Sequence, residues 1–590
     1  MKRIIAILIL FALLPVSSLA DHAPHKLEQR SVPVYCTSSN DYRDAADMIL
    51  ISDFTLYYID GVNDLPYVDL SEFVALVNAV DTFDAGDPFG EPSEPKEDYL
   101  SQIDKNQGVF TCTYQPQNSD LIIDFMQGTL TYTCMDTFGK DPAYGPYELQ
   151  TNQLDFLQRI YDPKLSRLGS AKTISLKDYG IPMLVQDGKY LFPLHTAFDF
   201  LIWVAKAPWK ILCCNGAAIF IGDRDTMFGY SDAPSELGEI YFSRQPEKRS
   251  AELAKYGYNE LCLMLDSFYG LKEPHHIDSF HGFFNANGYE EKLLSEDPNE
   301  ADQALSDVIQ FSLDDFHSNF SFPSWMSGKD AAITYVGSGF SRTLDANKEA
   351  AFEKAFSESS LDDEDFYTES GNTAYLTLSR MHSSVSSEQF YSMDPDDKSV
   401  IGSDAVTQIL YADRQINREN SPIENVVLDL SRNPGGDVNT PACVLSWFLG
   451  EGYMTIANSF TGGFGIGKYK ADINRDHQFT AEDSLRGKKK LFCLISPLTF
   501  SSANMTAAMM KSSGAVTMIG QTTRGGSGIV TPAVTGWNSV FVISGFKTVV
   551  TVKNGSWYDA DQGVSPDVYL ADPAAFYDRE RLTEIINGIQ

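Results

Sequence analysis

The sequence predicts an α/β protein in which β-rich N-terminal regions and a helical segment precede a core of alternating strands and helices. Three observations carry that expectation. After residue 370, short apolar runs alternate with helix-period stretches, the pattern of βα layering. From 236 to "DDFHS" at 314–318, apolar residues recur at three- and four-residue spacing. Before that, strand-length runs are broken by glycine, proline and acidic clusters.

The elements follow in chain order. "MKRIIAILILFALLPVSSLA" joins a basic start (Lys2, Arg3) to an apolar stretch from Ile4 to Val16 and a small-residue site ending at Ala20. Residues 1–20 therefore read as a secretory signal peptide. The apolar stretch is shorter than the roughly 20 residues of a spanning helix, and no cysteine follows Ala20 to carry a lipid. An exported protein, periplasmic or secreted and without a membrane span, is expected.

Residues 21–165 form the β-rich N-terminal region, with hairpin-like runs such as "LIIDFMQGTLTYTC". Residues 166–235 form a small α/β module, in which "GIPMLVQDGKYLFPLHTAFDFLIW" and "KILCCNGAAIFIG" suggest strand, helix and strand, and "GYSDAPSELGE" a linker. Residues 236–590 make the third unit. Its helices "KRSAELAKYGYNELCLMLDSFYGLK" and "EADQALSDVIQFSLDDFHS" lead into the strand "TAYLTLSRM", the helix "DAVTQILYADRQINR" and the strand "NVVLDLS". The helix "TPACVLSWFLG", the strand "KLFCLIS", a helix after Ser502 and the strand "AVTMIG" follow.

Composition bounds the partners. A chain of 590 residues is too long for one core, and 43% hydrophobic with 12% aromatic residues indicates folded domains. A formal net charge of −35 argues against binding nucleic acid or anionic lipid, both of which need a basic face. Of eight cysteines, Cys112 and Cys134 are the preferred disulfide pair, while Cys443 and Cys493 in apolar contexts read as buried thiols.

Two stretches suggest chemistry. "SPLTFSSANMTAAMMKSS", residues 496–513, sets Ser501 and Ser502 between an apolar strand and a helix. Such a serine is either an ordinary N-cap or a nucleophile beside unpaired amides. "VVLDLSRNPGGD", residues 426–437, is a strand breaking into a Gly-Gly loop before a helix. Either its glycines relieve a tight turn, or the N–H groups of Gly435 and Gly436 approach a reacting carbonyl as an oxyanion hole.

Together, "DLSRNPGG", "TFSSAN", "GAVTMIGQTTRGGSG" and "GVSPDVYL", with "LDDFHSNFSFPSW" upstream, resemble the tail-specific (C-terminal-processing) serine protease family. The resemblance covers roughly residues 236–575 and implies a ClpP/crotonase-like fold. It places the nucleophile at Ser501, with Ser502 lending a backbone N–H to the oxyanion hole. The family's bacterial branch uses a lysine where this chain has Gly526. Arg524 cannot substitute, because it keeps its proton near neutral pH, and Lys511 reads as a solvated side chain. The tricorn-like branch uses a histidine from "D-x-H-[ST]", which "DDFHS" supplies as His317, with His382 the next candidate. The family's acid before "GVxPD" falls on Asp561 or Asp559.

The function so implied is an exported serine endopeptidase acting on peptide or protein substrates through an acyl-enzyme, with no cofactor required. A catalytically inactive peptide- or ligand-binding protein on the same scaffold is the alternative. About 55 residues separate "DDFHS" from "TAYLTL", fewer than a domain of typical size, so the PDZ domain usual there in the family is not expected. "DINRDHQFTAED" places Asp472, Asn474, Asp476, Thr480 and Asp483 at calcium-loop positions, but with His477 for the expected glycine and Asp483 for the expected glutamate. A weak structural calcium site and a plain acidic turn are both open there. "HHIDSFH" (His275, His276, His281) lacks the spacing of a helical zinc pair and reads as surface histidines.

Overall fold

A computed structural model of the chain describes residues 24–38, 47–80, 97–139, 154–160, 163–204, 210–223, 236–334, 346–396, 401–402, 404–437, 439–553 and 556–589. The signal-peptide stretch 1–20 lies outside the described residues. Among the described residues, no helix is long and apolar enough to cross a membrane.

The sheet that organises the C-terminal part runs in the order Tyr367–Ser370, Thr373–Thr377, Asn425–Asp429, Lys490–Ile495, Val516–Gly520 and Val568–Tyr569. Its central pairings are parallel, and only the first is antiparallel. These strands are apolar at nearly every position because helices cover both faces. Alternate residues serve alternate cores. Val426, Leu428, Leu491 and Cys493 pack toward the helices Ala405–Ile416, Asn439–Leu449 and Ser501–Ser512. Val427, Phe492 and Leu494 pack toward Ala346–Ser357 and Arg579–Asn587.

A second sheet meets this one at the Ser501 end. It orders Asn319–Phe322, Val540–Lys553, Gly452–Asn458, Phe464–Ala471 and Leu157–Ile160, with Gly528–Val534 and Ser556–Asp559 also paired to the long strand Val540–Lys553. The short strand Asn319–Phe322 begins two residues after His317. Its antiparallel register, Asn319 opposite Val542 and Phe320 opposite Phe541, fixes where that histidine arrives.

In the N-terminal part, one seven-stranded sheet takes strands from both sides of residue 165: Leu27–Ser38, Asp47–Ile59 and Tyr67–Asp69 share it with Leu184–Gln186, Lys189–Pro193, Lys210–Cys214 and Ile219–Asp223. A five-stranded antiparallel sheet contains the expected hairpin Ser119–Asp124/Thr129–Tyr132. The helix Ala251–Phe268, capped by the Ser250 side chain, packs into the same core as these strands, as Phe541 and Ile543 of the second sheet, and as Trp537 in the turn between two of its strands.

The preferred disulfide is corrected by this topology: Cys112 and Cys134 are free thiols. Cys112 sits opposite Leu121, which sits opposite Tyr132, so a whole strand separates the two cysteines. Two strand spacings amount to about 9–10 Å, beyond the roughly 7 Å that a disulfide spans between Cα atoms. Cys443 and Cys493 are buried thiols.

Candidate active site

The serine pair resolves first. The helix Ser501–Ser512 is capped by Phe500, in extended conformation, and no side chain accepts a hydrogen bond at its start. Ser501 is therefore not the N-cap. It has φ +53°, a left-handed backbone that costs a non-glycine residue about 1–2 kcal/mol. Such strain persists where the surroundings over-determine it. Here the Ser501 N–H donates to the Gly525 carbonyl at 3.0 Å, and the Phe500 N–H donates to the Asn433 carbonyl at 3.1 Å.

The strained turn aims the Ser501 hydroxyl at a histidine. His317 Nε2 lies 2.9 Å from Ser501 Oγ. The imidazole is buried, and its ring centroid stands 4.7 Å from that of Phe500. Burial pushes the His317 pKa below the ordinary histidine range, partly opposed by the Asp315 charge. Neutral imidazole is the form that can take a proton from the serine.

At the other ring nitrogen stands a residue absent from the sequence expectation. Ser544 Oγ is 3.4 Å from His317 Nδ1, and it donates to Asp315 Oδ1 at 3.0 Å. Asp561 lies elsewhere: its Oδ1 receives the Gly526 N–H at 3.2 Å and the Ser527 N–H at 3.1 Å. It thereby braces the loop beside Phe500. The Asp559 side chain is outside the described residues. The only sequence signal for Ser544 is one hydroxyl inside the apolar run "VFVISGF".

The glycine loop splits into two roles. The Gly435 N–H is committed to Asn433 Oδ1 at 2.8 Å. Gly435 itself comes so close that a Cβ there would lie 2.7 Å from Ser501 Cβ and 3.1 Å from Ser502 N. Gly436 is pressed against the Met381 carbonyl, where a Cβ would lie at 2.0 Å. Its neighbours Gly435 and Asp437 bond Met381 through their carbonyl and N–H, respectively. Among the described residues the Gly436 and Ser502 N–H groups have no protein acceptor. Fully buried Asn433 holds the loop, since its Nδ2 also donates to the Leu378 carbonyl at 2.8 Å.

The lysine alternatives fail on geometry. A Cβ on Gly526 would meet the Phe500 ring at 2.5 Å, so the aromatic ring fills that side-chain space. Lys511 sits ten residues along the helix from Ser501, about 15 Å at the α-helical rise. Its ammonium reaches Ser565 Oγ at 3.1 Å and Asp567 at 3.4 Å. His382 is half-exposed, with Nδ1 3.6 Å from Asp437.

The acidic loop closes on itself. Asp472 accepts the Asp476 and His477 amides and the Tyr391 hydroxyl, and Asp483 accepts the Asn474 and Thr480 amides. Asn474 Oδ1 also accepts the Asp476 amide. His477, where a calcium loop has glycine, takes φ +61° and stacks on Tyr391. Among the described residues, no group of three or more histidine, cysteine, aspartate or glutamate side chains is arranged to hold a metal ion.

Comparison with known proteins matches the model of Peptidase family S41 to residues 372–570. That stretch contains Ser501, the glycine loop and Asp561, while His317 lies upstream. No curated protein matches the chain. Among solved structures it is similar to a photosystem II D1 C-terminal processing protease, at 21% identity over 34% of this chain and 42% of that one, with TM-score 0.25. It is also similar to a lipoprotein from Streptococcus agalactiae (14% identity, 58% and 96% of the two chains, TM-score 0.33). The tricorn protease aligns with 95% of this chain and 54% of its own, at 11% identity and TM-score 0.29. The chain thus spans less than half the length of the first of these structures.

Proposed function

Residues 372–570 are a domain of Peptidase family S41, and from that premise we propose that the chain is an exported serine endopeptidase working through an acyl-enzyme. The observation that carries the reading is the 2.9 Å approach of His317 Nε2 to a serine hydroxyl held on a left-handed turn. Ser501 Oγ attacks the peptide carbonyl carbon while its proton passes to Nε2. The Ser502 and Gly436 N–H groups stabilise the developing oxyanion, and Gly435 contributes by having no side chain to block them. The C–N bond then breaks, and the leaving amine takes the proton from the imidazolium. Water, deprotonated by His317 in the same way, attacks the ester carbonyl, and as the C–O bond breaks Ser501 Oγ takes the proton back from the imidazolium. Export rests on the leader-like residues 1–20.

A serine-directed phosphonate together with a peptide substrate tests the reading. Wild type should be labelled at Ser501. Ser501→Ala should lose labelling and turnover with its fold retained, since no cap hydrogen bond is lost. Absence of labelling in the wild type would support the binding-protein alternative, and turnover by Ser501→Ala would place the chemistry elsewhere.

A further inference from the structure

We propose that Ser544 and Asp315 are the positioning residues of His317: the Ser544 hydroxyl accepts a hydrogen bond from the imidazole Nδ1–H and donates its own O–H to the Asp315 carboxylate, which stays ionised. This rests on the peptidase reading above and departs from a direct acid–imidazole contact.

Donor and acceptor logic gives the direction of the chain. A serine hydroxyl carries one hydrogen, and an ionised carboxylate only accepts. Ser544 Oγ lies 3.0 Å from Asp315 Oδ1, so its hydrogen is committed there. Toward His317 Nδ1, 3.4 Å away, it can then act only as an acceptor. The proton therefore belongs on Nδ1, which leaves the Nε2 lone pair facing Ser501 Oγ. That is the one neutral tautomer able to act as base. Resting catalytic hydrogen bonds are often long and tighten when substrate binds.

The fold places both residues rigidly. Extending the Asn319–Val542 antiparallel register by two residues on each strand sets His317 opposite Ser544. On its other side Ser544 pairs with Val530, and its carbonyl accepts the Gly270 N–H at 2.9 Å. Asp315 is buried, and it also receives the His317 and Ser544 amides and the Ser318 hydroxyl. When imidazolium forms, the nearest negative charge is thus one hydroxyl away. Among the described residues Asp315 is the charge that acts on the imidazole; on the neighbouring 523–527 loop Arg524 stacks over the Phe316 ring, and Asp561 is occupied by the Gly526 and Ser527 amides.

The test compares Ser544→Ala and Asp315→Asn with wild type across pH, using peptide turnover and the rate of phosphonate labelling. Ser544→Ala should lower kcat by about 100-fold, the low end of what acid–base catalysis contributes, with KM nearly unchanged. In Asp315→Asn the charge that raises the His317 pKa is gone, so the acid limb of kcat/KM should move to lower pH. Independently of turnover, 15N NMR of the wild-type imidazole should show the proton on Nδ1. A wild-type rate in Ser544→Ala, an unmoved acid limb in folded Asp315→Asn, or a proton on Nε2 would each overturn the proposal. Should the wild type itself resist the phosphonate, the peptidase reading fails instead, and the tautomer still decides the hydrogen-bond direction.

Discussion

Gly435→Ala separates catalytic space from backbone strain. At φ +101° an alanine pays about 1–2 kcal/mol for a left-handed backbone. Its Cβ would also lie 2.7 Å from Ser501 Cβ and 2.9 Å from the Phe500 carbonyl, closer than real contacts allow. Overpacking of that kind costs about 1–3 kcal/mol more. Gly462→Ala is the control: φ is +74°, and nothing lies within 4 Å of the added carbon. The control should lose only the backbone part, so the difference between the two midpoints in urea isolates the collision. Activity should separate further. The new methyl would sit 3.1 Å from Ser502 N, in the space a developing oxyanion needs. Losing such a donor costs about 100- to 1000-fold in rate. Phosphonate labelling and urea unfolding are measured on both variants. Wild-type labelling in Gly435→Ala, or stability equal to the control, would refute the close approach.

Lys511→Ala should leave turnover intact and cost no more than about 1 kcal/mol, because its ion pair with half-exposed Asp567 is partly solvated. Loss of activity there would reopen a lysine mechanism. Glu260→Gln tests a buried acid pair that joins the helix Ala251–Phe268 to the helical stretch beginning at Asp199. Burial pushes Asp199 up to about 6, and burial with the Asp199 charge pushes Glu260 well above the usual carboxylate range. The folded state thus holds protons that the unfolded chain releases. The stability from this pair is full below about pH 4 and lost as pH rises through 6 and beyond, so Glu260→Gln should flatten the decline of Tm on that alkaline side. An unchanged slope would mean that the pair does not titrate with folding. Removing residues 21–235 should lower labelling although Ser501 and His317 remain. The Trp203 indole N–H donates to the Pro532 carbonyl at 2.8 Å, and the Cys214 amide donates to Asn538 Oδ1 at 2.7 Å, beside the strand that carries Ser544. Full labelling in that variant would show that the N-terminal region is dispensable for the site.

What the sequence made legible follows the range of the interaction. The parallel strands and their helices announced themselves through local periodicity, and Thr373–Thr377, Asn425–Asp429, Lys490–Ile495 and Val516–Gly520 fall where the apolar runs place them. Ser501 and the glycine loop were legible as motifs because their chemistry needs a short contiguous turn. The sharing of one sheet across residue 165 was hidden, since strand pairing between residues 27–69 and 184–223 leaves no local signature. Ser544 was hidden for the same reason: it meets His317 across a register, 227 residues away in the chain. The Cys112–Cys134 expectation followed proximity in sequence and ignored the strand that intervenes.

Ser501 and His317 thus come from different layers. The serine is fixed by a helix that packs on the parallel sheet, and the histidine by the edge strand of the second sheet. Their 2.9 Å separation is therefore a property of how the two sheets dock. Phe500 sits at that junction. Its backbone is tied to Asn433 of the glycine loop, and its ring packs on His317 and closes the space over Gly526. One residue thereby couples the glycine loop, the Ser501 turn and His317. A lysine at position 526 would need that same volume. With Phe500 in place that volume is filled, and the glycine at 526 is the condition for the ring to fit.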